Sequence, residues 1–518
     1  MKYVSVAEMV AIEKESDSRG HTYSAMMEHA GRGLAEATHT AYCNLPSQRA
    51  LGLVGSGNNG GDTLVAFAYL QEWGWQTTAY IVRPRPEDDP LIERLLQSGG
   101  KVIKHEDDRD YHVLAASLDT YPVLLDGVLG TGIRLPLRGA VAETLELVKT
   151  RLLNMETPPH VIAVDCPSGV DCDTGEAASA CIPADITVTM AGIKQGLLRF
   201  PAYQLVGKLH CVGIGLPDGL DAYDAIRREV IDDQWVRRVM PERPLDSHKS
   251  TFGVVMIVAG SVPYSGAVLL AGETAFRSGA GWVTLAVPEP LHGALAGAFM
   301  EATWLPLQHE GGWIAENASV TVLNNLDRVT AMLIGPGFGL QPGTERFLEE
   351  LLRSGRDGLP HLVVDADGIK LLANLQDWPN MLLSPAILTP HPGEMSILTG
   401  MPVAEIQSNR IGVACRYAQE WGHVVVLKGA FTVIASPDGR ASLIPVATPA
   451  LARAGTGDVL AGLIVGLRAQ GVPSYEAAAA GAWIHAQAGL QAAEMMGSTA
   501  TVLAGDVMAA VLDVIADL

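Results

Sequence analysis

Ala454-Gly455-Thr456-Gly457-Asp458 stands directly before Val459-Leu460-Ala461-Gly462-Leu463, where apolar residues begin to recur at helical spacing. Two glycines at the mouth of a helix let successive backbone N–H groups converge on an anion, and the helix dipole adds positive potential there. A carboxylate beside a phosphate is repelled unless a metal or a proton transfer requires it. Asp458 therefore reads as a general base for a hydroxyl attacking that phosphate. An aspartate that merely favours the helix dipole is the competing reading, and five residues leave the two open.

A second glycine loop lies near the other end of the chain. Leu51-Gly52-Leu53-Val54 reads as a strand, Gly55-Ser56-Gly57-Asn58-Asn59-Gly60-Gly61-Asp62 as a loop, and Leu64-Val65-Ala66 as a helix start. Gly55, Gly57 and Gly60 match a dinucleotide fingerprint, which asks for an acid at the end of the next strand. Arg83 follows Ala79-Tyr80-Ile81-Val82 instead, which weighs against an ordinary nicotinamide dehydrogenase. Asn58, Asn59 and Asp62 add amide oxygens and a carboxylate where a plain phosphate loop needs only N–H groups.

Two further apolar strands end in acids. Val123-Leu124-Leu125 ends at Asp126, and Val161-Ile162-Ala163-Val164 ends at Asp165 ahead of Pro167-Ser168-Gly169. In a parallel sheet these ends share one edge, so Asn59, Asp126, Asp165 and Ser168 would meet where open α/β sheets bind ligands. Such hard oxygens suit a cation; any one of these aspartates taken alone reads more readily as a strand end and helix cap, and the four residues together favour function. In the second half, Val424-Val425-Val426-Leu427 presents Lys428-Gly429-Ala430-Phe431-Thr432 one element before the Gly455 loop. Together they supply a cation, an N–H cradle and a base.

The elements that must carry these residues alternate short apolar strands with helical patterns, the mark of doubly wound α/β sheets. With 518 residues the chain exceeds one core, and Pro217 to Pro244 shifts in character, including a charged, helical-looking stretch at Arg227-Arg228-Glu229. The domains expected are 1–220 and 230–518, each with its own wound α/β sheet. A net charge of −21 argues against a nucleic-acid surface and requires any phosphate to be held locally. Six cysteines without a C-x-x-C pair, a start that reaches Glu8 before any apolar core, and no run of about 20 apolar residues suggest a reduced, cytoplasmic, soluble enzyme.

These residues also carry a family resemblance. Gly57-Asn58-Asn59-Gly60-Gly61-Asp62, Asp126 with Gly130-Thr131-Gly132, Val164-Asp165-Cys166-Pro167-Ser168-Gly169-Val170-Asp171, and Thr187-Val188-Thr189 with Lys194-Gln195-Gly196 resemble the NAD(P)H-hydrate epimerases. That family interconverts the R and S forms of hydrated NADH and NADPH, and the resemblance implies a Rossmann-like three-layer αβα sandwich for residues 1–220. The resemblance implies substrate loops at Asn58, Asn59, Gly60, Gly61 and Asp62 and at Gly130, Thr131, Gly132, Ile133, Arg134, Leu135 and Pro136. It implies Asp165 at the reacting carbon, and Asn59, Asp126 and Ser168 around a potassium ion. Thr63 and Cys166 stand where the family often has glycine and a small apolar residue.

From about residue 245 onward, Lys249, Gly266-Ala267, Arg277-Ser278-Gly279-Ala280-Gly281, Asp365-Ala366-Asp367, Thr389-Pro390-His391-Pro392-Gly393-Glu394 and the Gly455 loop resemble the ribokinase-like NAD(P)H-hydrate dehydratases. Ser250 and Thr448 depart from that pattern. The resemblance implies a second αβα domain for residues 230–518, with hydrate contacts at Ala267, Gly337, His391 and Asp458, and nucleotide contacts at Lys428, Gly429, Ala430, Phe431, Thr432 and Gly457. Mg²⁺ and ADP as phosphoryl donor are implied, with homo-oligomeric assembly. The two resemblances describe one bifunctional repair enzyme, an isomerase and a lyase. A ribokinase-like small-molecule kinase with an accessory domain, and a nucleotide sensor without turnover, are the alternatives.

Overall fold

The computed structural model describes residues 1–355, 358–382 and 385–518. The chain divides into two compact units, Met1–Arg227 and Arg228–Leu518.

Seven parallel strands form the sheet of the first unit, in the order Lys101–Lys104, Gln76–Ile81, Arg49–Val54, Val123–Gly127, His160–Val164, Ile186–Met190 and Lys208–Val212. Because successive strand residues point to opposite faces, each strand feeds two cores. Ala50, Val54, Val123, Leu125 and Ile162 pack with Met9, Ile12, Leu34 and Phe67 of three helices. Leu51, Leu53, Leu124 and Val161 pack with Leu114, Leu118, Val141 and Leu145 of helices on the other side. This is the three-layer sandwich that the sequence predicts. The two glycine-bearing strands Arg49–Val54 and Val123–Gly127 are neighbours, and the chain winds outward from them in opposite directions. The loops after them therefore sit at the topological switch point.

The second unit holds a ten-stranded sheet in the order Arg228–Val230, Ala441–Leu443, Val433–Ala435, Val424–Leu427, Ile387–Leu388, His361–Val364, Ala331–Ile334, Val254–Val258, Trp282–Pro288 and Thr303–Leu307. Only Val433–Ala435 runs antiparallel to its neighbours. One face buries Val255, Ile257, Leu285 and Leu333 against the helices Gly266–Arg277, Thr456–Ala469, Ser474–Met496 and Ala504–Ala516. Here the switch point falls between Val254–Val258 and Ala331–Ile334.

One expectation fails in the junction. Arg228–Val230 is not helical but an edge strand, paired in parallel with Ala441–Leu443. Three residues are too short to show a period of their own. Tertiary pairing decides the conformation.

Candidate functional site

Tight backbone contact builds the switch-point loops of the first unit. A Cβ on Gly55 would stand 1.9 Å from the Val128 carbonyl oxygen, and one on Gly130 would stand 2.2 Å from Asn59 Oδ1. Gly55 is therefore required by close backbone approach, and Gly130 leaves room for the buried Asn59 amide. The helix Asn58–Glu72 opens on this loop, with Gly57 as its N-cap. Thr63 fits without disturbing it: the buried hydroxyl donates to the Asn59 carbonyl at 2.7 Å and takes the space above Gly127.

Beneath the loop, Asp126 is fully buried. Its Oδ2 accepts from the Ser168 backbone N–H at 2.8 Å, while its Oδ1 has no partner of ordinary hydrogen-bond geometry among the described residues. Burial raises its carboxyl, and the hydrogen bonds from Ser168 pull it back. The Leu129 N–H donates to the Ser168 hydroxyl at 2.9 Å, and Asn59 Nδ2 donates to the carbonyls of Leu129 and Val164. Asn59, Asp126 and Ser168 thus share one small polar nest. Among the described residues, no three His, Cys, Asp or Glu side chains are grouped to hold a metal ion.

Beside this nest lies a cavity of about 360 Å³, lined by Asn58, Asn59, Asp62, Thr131, Asp165 and Lys194 together with Glu13 and several apolar side chains. Asp165 leaves its strand in the left-handed region, at φ 64°, a strained conformation that aspartate tolerates better than most residues. Its Oδ1 accepts from the Met190 N–H at 3.0 Å, the Thr189 hydroxyl at 3.1 Å and the Lys194 ammonium. Burial alone would lower the Lys194 ammonium, and Asp165 more than reverses this, so it is held above the ordinary lysine value. Asp62 is pushed well above the usual carboxylate range by burial and then by the Asp165 charge. Glu13 is raised too, chiefly by burial. The predicted 130–136 loop divides: Thr131 lines this cavity, whereas Leu135 and Pro136 line a separate surface groove with Leu137, Leu147 and Ala178.

In the second unit, five strand or helix ends bring together residues far apart in sequence. Lys428 Nζ lies 2.7 Å from Asp365 Oδ1 and 3.6 Å from Glu394 Oε2. The Thr389 hydroxyl also donates to Asp365 Oδ1, at 2.6 Å. Asp458 occupies the first turn of Thr456–Ala469, capped by Gly455 at φ 92°. Its carboxyl is pushed up to about 7 by burial and by the Asp365 charge, with Lys428 opposing. A Cβ on Gly457 would be 3.7 Å from Lys428 Nζ, so the cradle and the cation face each other. His391 caps the helix Pro392–Thr399, with Nδ1 accepting from the Gly393 and Glu394 N–H groups. Phe431, bulky yet at φ 54°, holds the Lys428–Thr432 turn in a strained form of the kind found at ligand clamps. Ala267 opens the helix Gly266–Arg277 at the switch point, and the Gly337 carbonyl there accepts from Ser261 Oγ at 2.7 Å.

Sequence reasoning missed Lys194 and Glu13 in the first site, and Asp365 and Glu394 as the counter-charges of Lys428. Asp365, Glu394 and Lys194 lie in the quoted motifs, which was the available signal. Glu13 on the helix Val6–Ser18 looks like any surface acid.

Two doubly wound sheets, the first with a glycine loop and buried carboxylates at its switch point and the second with a glycine-capped helix facing Lys428 and the buried Asp365, define a two-domain α/β nucleotide enzyme. Residues 255–511 match the family model described as NAD(P)H-hydrate dehydratase, and residues 23–196 match the YjeF-related protein N-terminus. The chain is 36% identical over 521 residues to the bifunctional NAD(P)H-hydrate repair enzyme of Moorella thermoacetica, covering 98% of this chain and 95% of that one. It is 31% identical to the Escherichia coli enzyme of the same name, over 92% of this chain and 87% of the other. A crystal structure of ADP/ATP-dependent NAD(P)H-hydrate dehydratase from Bacillus subtilis with ATP and Mg²⁺ aligns with 57% of this chain and 99% of its own, at 31% identity and a TM-score of 0.48. The chain belongs to the family of bifunctional NAD(P)H-hydrate repair enzymes. Among the described residues, no helix is long and apolar enough to cross a membrane.

Proposed function

We propose that the two repair activities divide between the halves, with the epimerase in residues 1–220 and the dehydratase in residues 230–518. Hydration at carbon 6 of the nicotinamide ring gives R and S epimers. The first half interconverts them, and the second restores NADH or NADPH from the S form. Hydroxide is a poor leaving group. Phosphorylating the hydroxyl with ADP, which leaves AMP, lets the ring nitrogen expel phosphate.

The observation that carries this reading is a half-buried carboxylate, its pKa pushed up to about 7, at the mouth of a glycine cradle that faces Lys428. Such a group is matched to taking a hydroxyl proton at neutral pH. Ala267, Gly337 and His391 would hold the hydrate, and Lys428 to Thr432 with Gly457 the nucleotide. Bound Mg²⁺ supplies charge neutralisation at the transferring phosphoryl group. Asp365 and Glu394 are engaged by Lys428 and Asp367 by Lys370, so the ion would be held mainly by nucleotide phosphates.

In the first half, the unpaired Asp126 Oδ1 and the Ser168 hydroxyl fit a weakly hydrated monovalent ion, and rotating the Asn59 amide would add a third oxygen. Potassium there would fix the loop over the hydrate, with Asn58 to Asp62 and Gly130 to Pro136 as its contacts. A homo-oligomer in the cytoplasm completes the proposal.

The test is absorbance at 340 nm on an equilibrated hydrate mixture with ADP or ATP. Full recovery of reduced cofactor supports both activities. A phosphorylated product that persists would identify a kinase instead, and binding without turnover a sensor.

A further inference from the structure

The cavity beside Asn59 is lined by three buried carboxyl groups, Asp62, Asp89 and Asp165, and one buried ammonium, and Asp89 is paired with Arg85. Lys194 spends all three of its hydrogens locally: on Asp165 Oδ1, on Thr189 Oγ1 at 3.2 Å and on the Met190 carbonyl at 2.9 Å. It therefore neutralises Asp165 and has nothing left for Asp62. Asp62 is 6% exposed and its carboxyl forms no hydrogen bond among the described residues. A second anion in that space would be an unpaired buried charge, costly enough that the group keeps its proton. Asp62 and Asp165, on different elements of one cavity, thus differ in their surroundings: Asp165 Oδ1 is held by three donors, whereas the Asp62 carboxyl meets none among the described residues.

An enzyme that inverts a hydroxyl-bearing carbon by exchanging the hydroxyl needs that arrangement, an acid where the group leaves and a base where its replacement arrives. We propose that Asp62 is the general acid of epimerisation and works against Asp165 as base, a proposal that rests on the epimerase reading of this half. Asp62 gives its proton to the carbon 6 hydroxyl. The C–O bond breaks as water leaves, and the ring nitrogen lone pair forms the C=N bond of an iminium. Water then adds to carbon 6 from the other face and gives a proton to Asp165. The reverse direction starts with the proton on Asp165 and ends with it on Asp62. Glu13, half-buried and lining the same cavity, would carry the proton that resets the pair between turnovers.

The test uses the full chain with no nucleotide added, so that dehydration stays off, and follows the two NADH-hydrate epimers by chromatography. In ¹⁸O water the unaltered chain is expected to place one solvent oxygen on carbon 6 per inversion. Asp62→Asn, which keeps shape and removes the proton, is expected to slow interconversion about 10²-fold or more with KM changed less than about threefold. Retention of the original oxygen overturns the proposal without needing any variant, because it implies ring opening at the C–N bond. An Asp62→Asn rate within about threefold of normal overturns it as well. If the unaltered chain is no faster than spontaneous epimerisation, the epimerase reading itself falls, and the proposal with it.

Discussion

Lys194 places its buried ammonium on Asp165, reaching across 29 positions from the short strand Ile193–Lys194, which pairs with Tyr3–Val4 outside the seven-stranded sheet, to the residue that follows His160–Val164. Neither side chain has another charged partner in contact among the described residues. The pair is closed off from water, with the ammonium side chain 2% and the carboxylate side chain 9% exposed. The pair holds Asp165 still, which is what a group acting at a reacting carbon needs.

Breaking this pair should be expensive. Lys194→Met keeps the length and apolar stem of the side chain but leaves the Asp165 carboxylate buried without its counter-charge, a loss of about 3–5 kcal/mol where one partner of such a pair is removed. Calorimetry of the full chain should show the transition of the first unit moved down and that of the second unchanged. An unaltered melting profile would mean that Asp165 finds equal solvation elsewhere.

The polar nest around Asp126 makes a separate prediction. An ion that binds only the folded chain stabilises it by mass action, so raising potassium against a bulky organic cation should raise the melting temperature of the first unit. Asp126→Ala should abolish that response and weaken binding of a cofactor analogue, whereas Asp165→Asn should slow epimerisation with binding retained. Equal behaviour of the two variants, with no response to potassium, would remove the ion from the account.

Much of this site is legible in the sequence because its parts are local. Glycine loops after apolar strands announce themselves by type and spacing, and parallel strands put Asn59, Asp126, Asp165 and Ser168 at one edge without further information. What is not legible is pairing. Lys428 meets Asp365 across 63 positions, so whether it is a free cation for phosphate or half of an ion pair depends on tertiary approach. Glu13 reads as solvated because its helix shows charges at regular spacing, and only the cavity wall reveals its inward face. Arg228–Val230 escaped for the related reason that an edge strand is chosen by its partner, Ala441–Leu443.

The chain also divides in a way that can be exploited. A fragment of residues 228–518 keeps the edge strand Arg228–Val230, which a start near residue 235 would remove from the sheet. This fragment is expected to fold alone and to dehydrate the S hydrate, leaving R behind, so its progress curve should stall part-way. Complete conversion faster than spontaneous epimerisation would place epimerase activity in the second half.

The last prediction concerns the pH dependence of dehydration. Asp458 is raised to about 7, first by burial and then by Asp365, so its carboxylate form dominates only above that pH. A base works in its deprotonated form, and the dehydration rate should therefore climb with pH up to about 7 and level off beyond it. Asp365→Asn removes the neighbouring negative charge that helps hold the Asp458 value up. It also frees Lys428 to interact more strongly with Asp458, and both changes move the rise to lower pH. Asp458→Asn should leave nucleotide binding largely intact while lowering turnover by about 10²-fold or more, with the pH rise gone. The measurement is initial rate at 340 nm from pH 5 to 9 for the three chains, with nucleotide affinity by calorimetry alongside. A profile unchanged in Asp458→Asn would make the residue a helix cap and assign the proton transfer elsewhere.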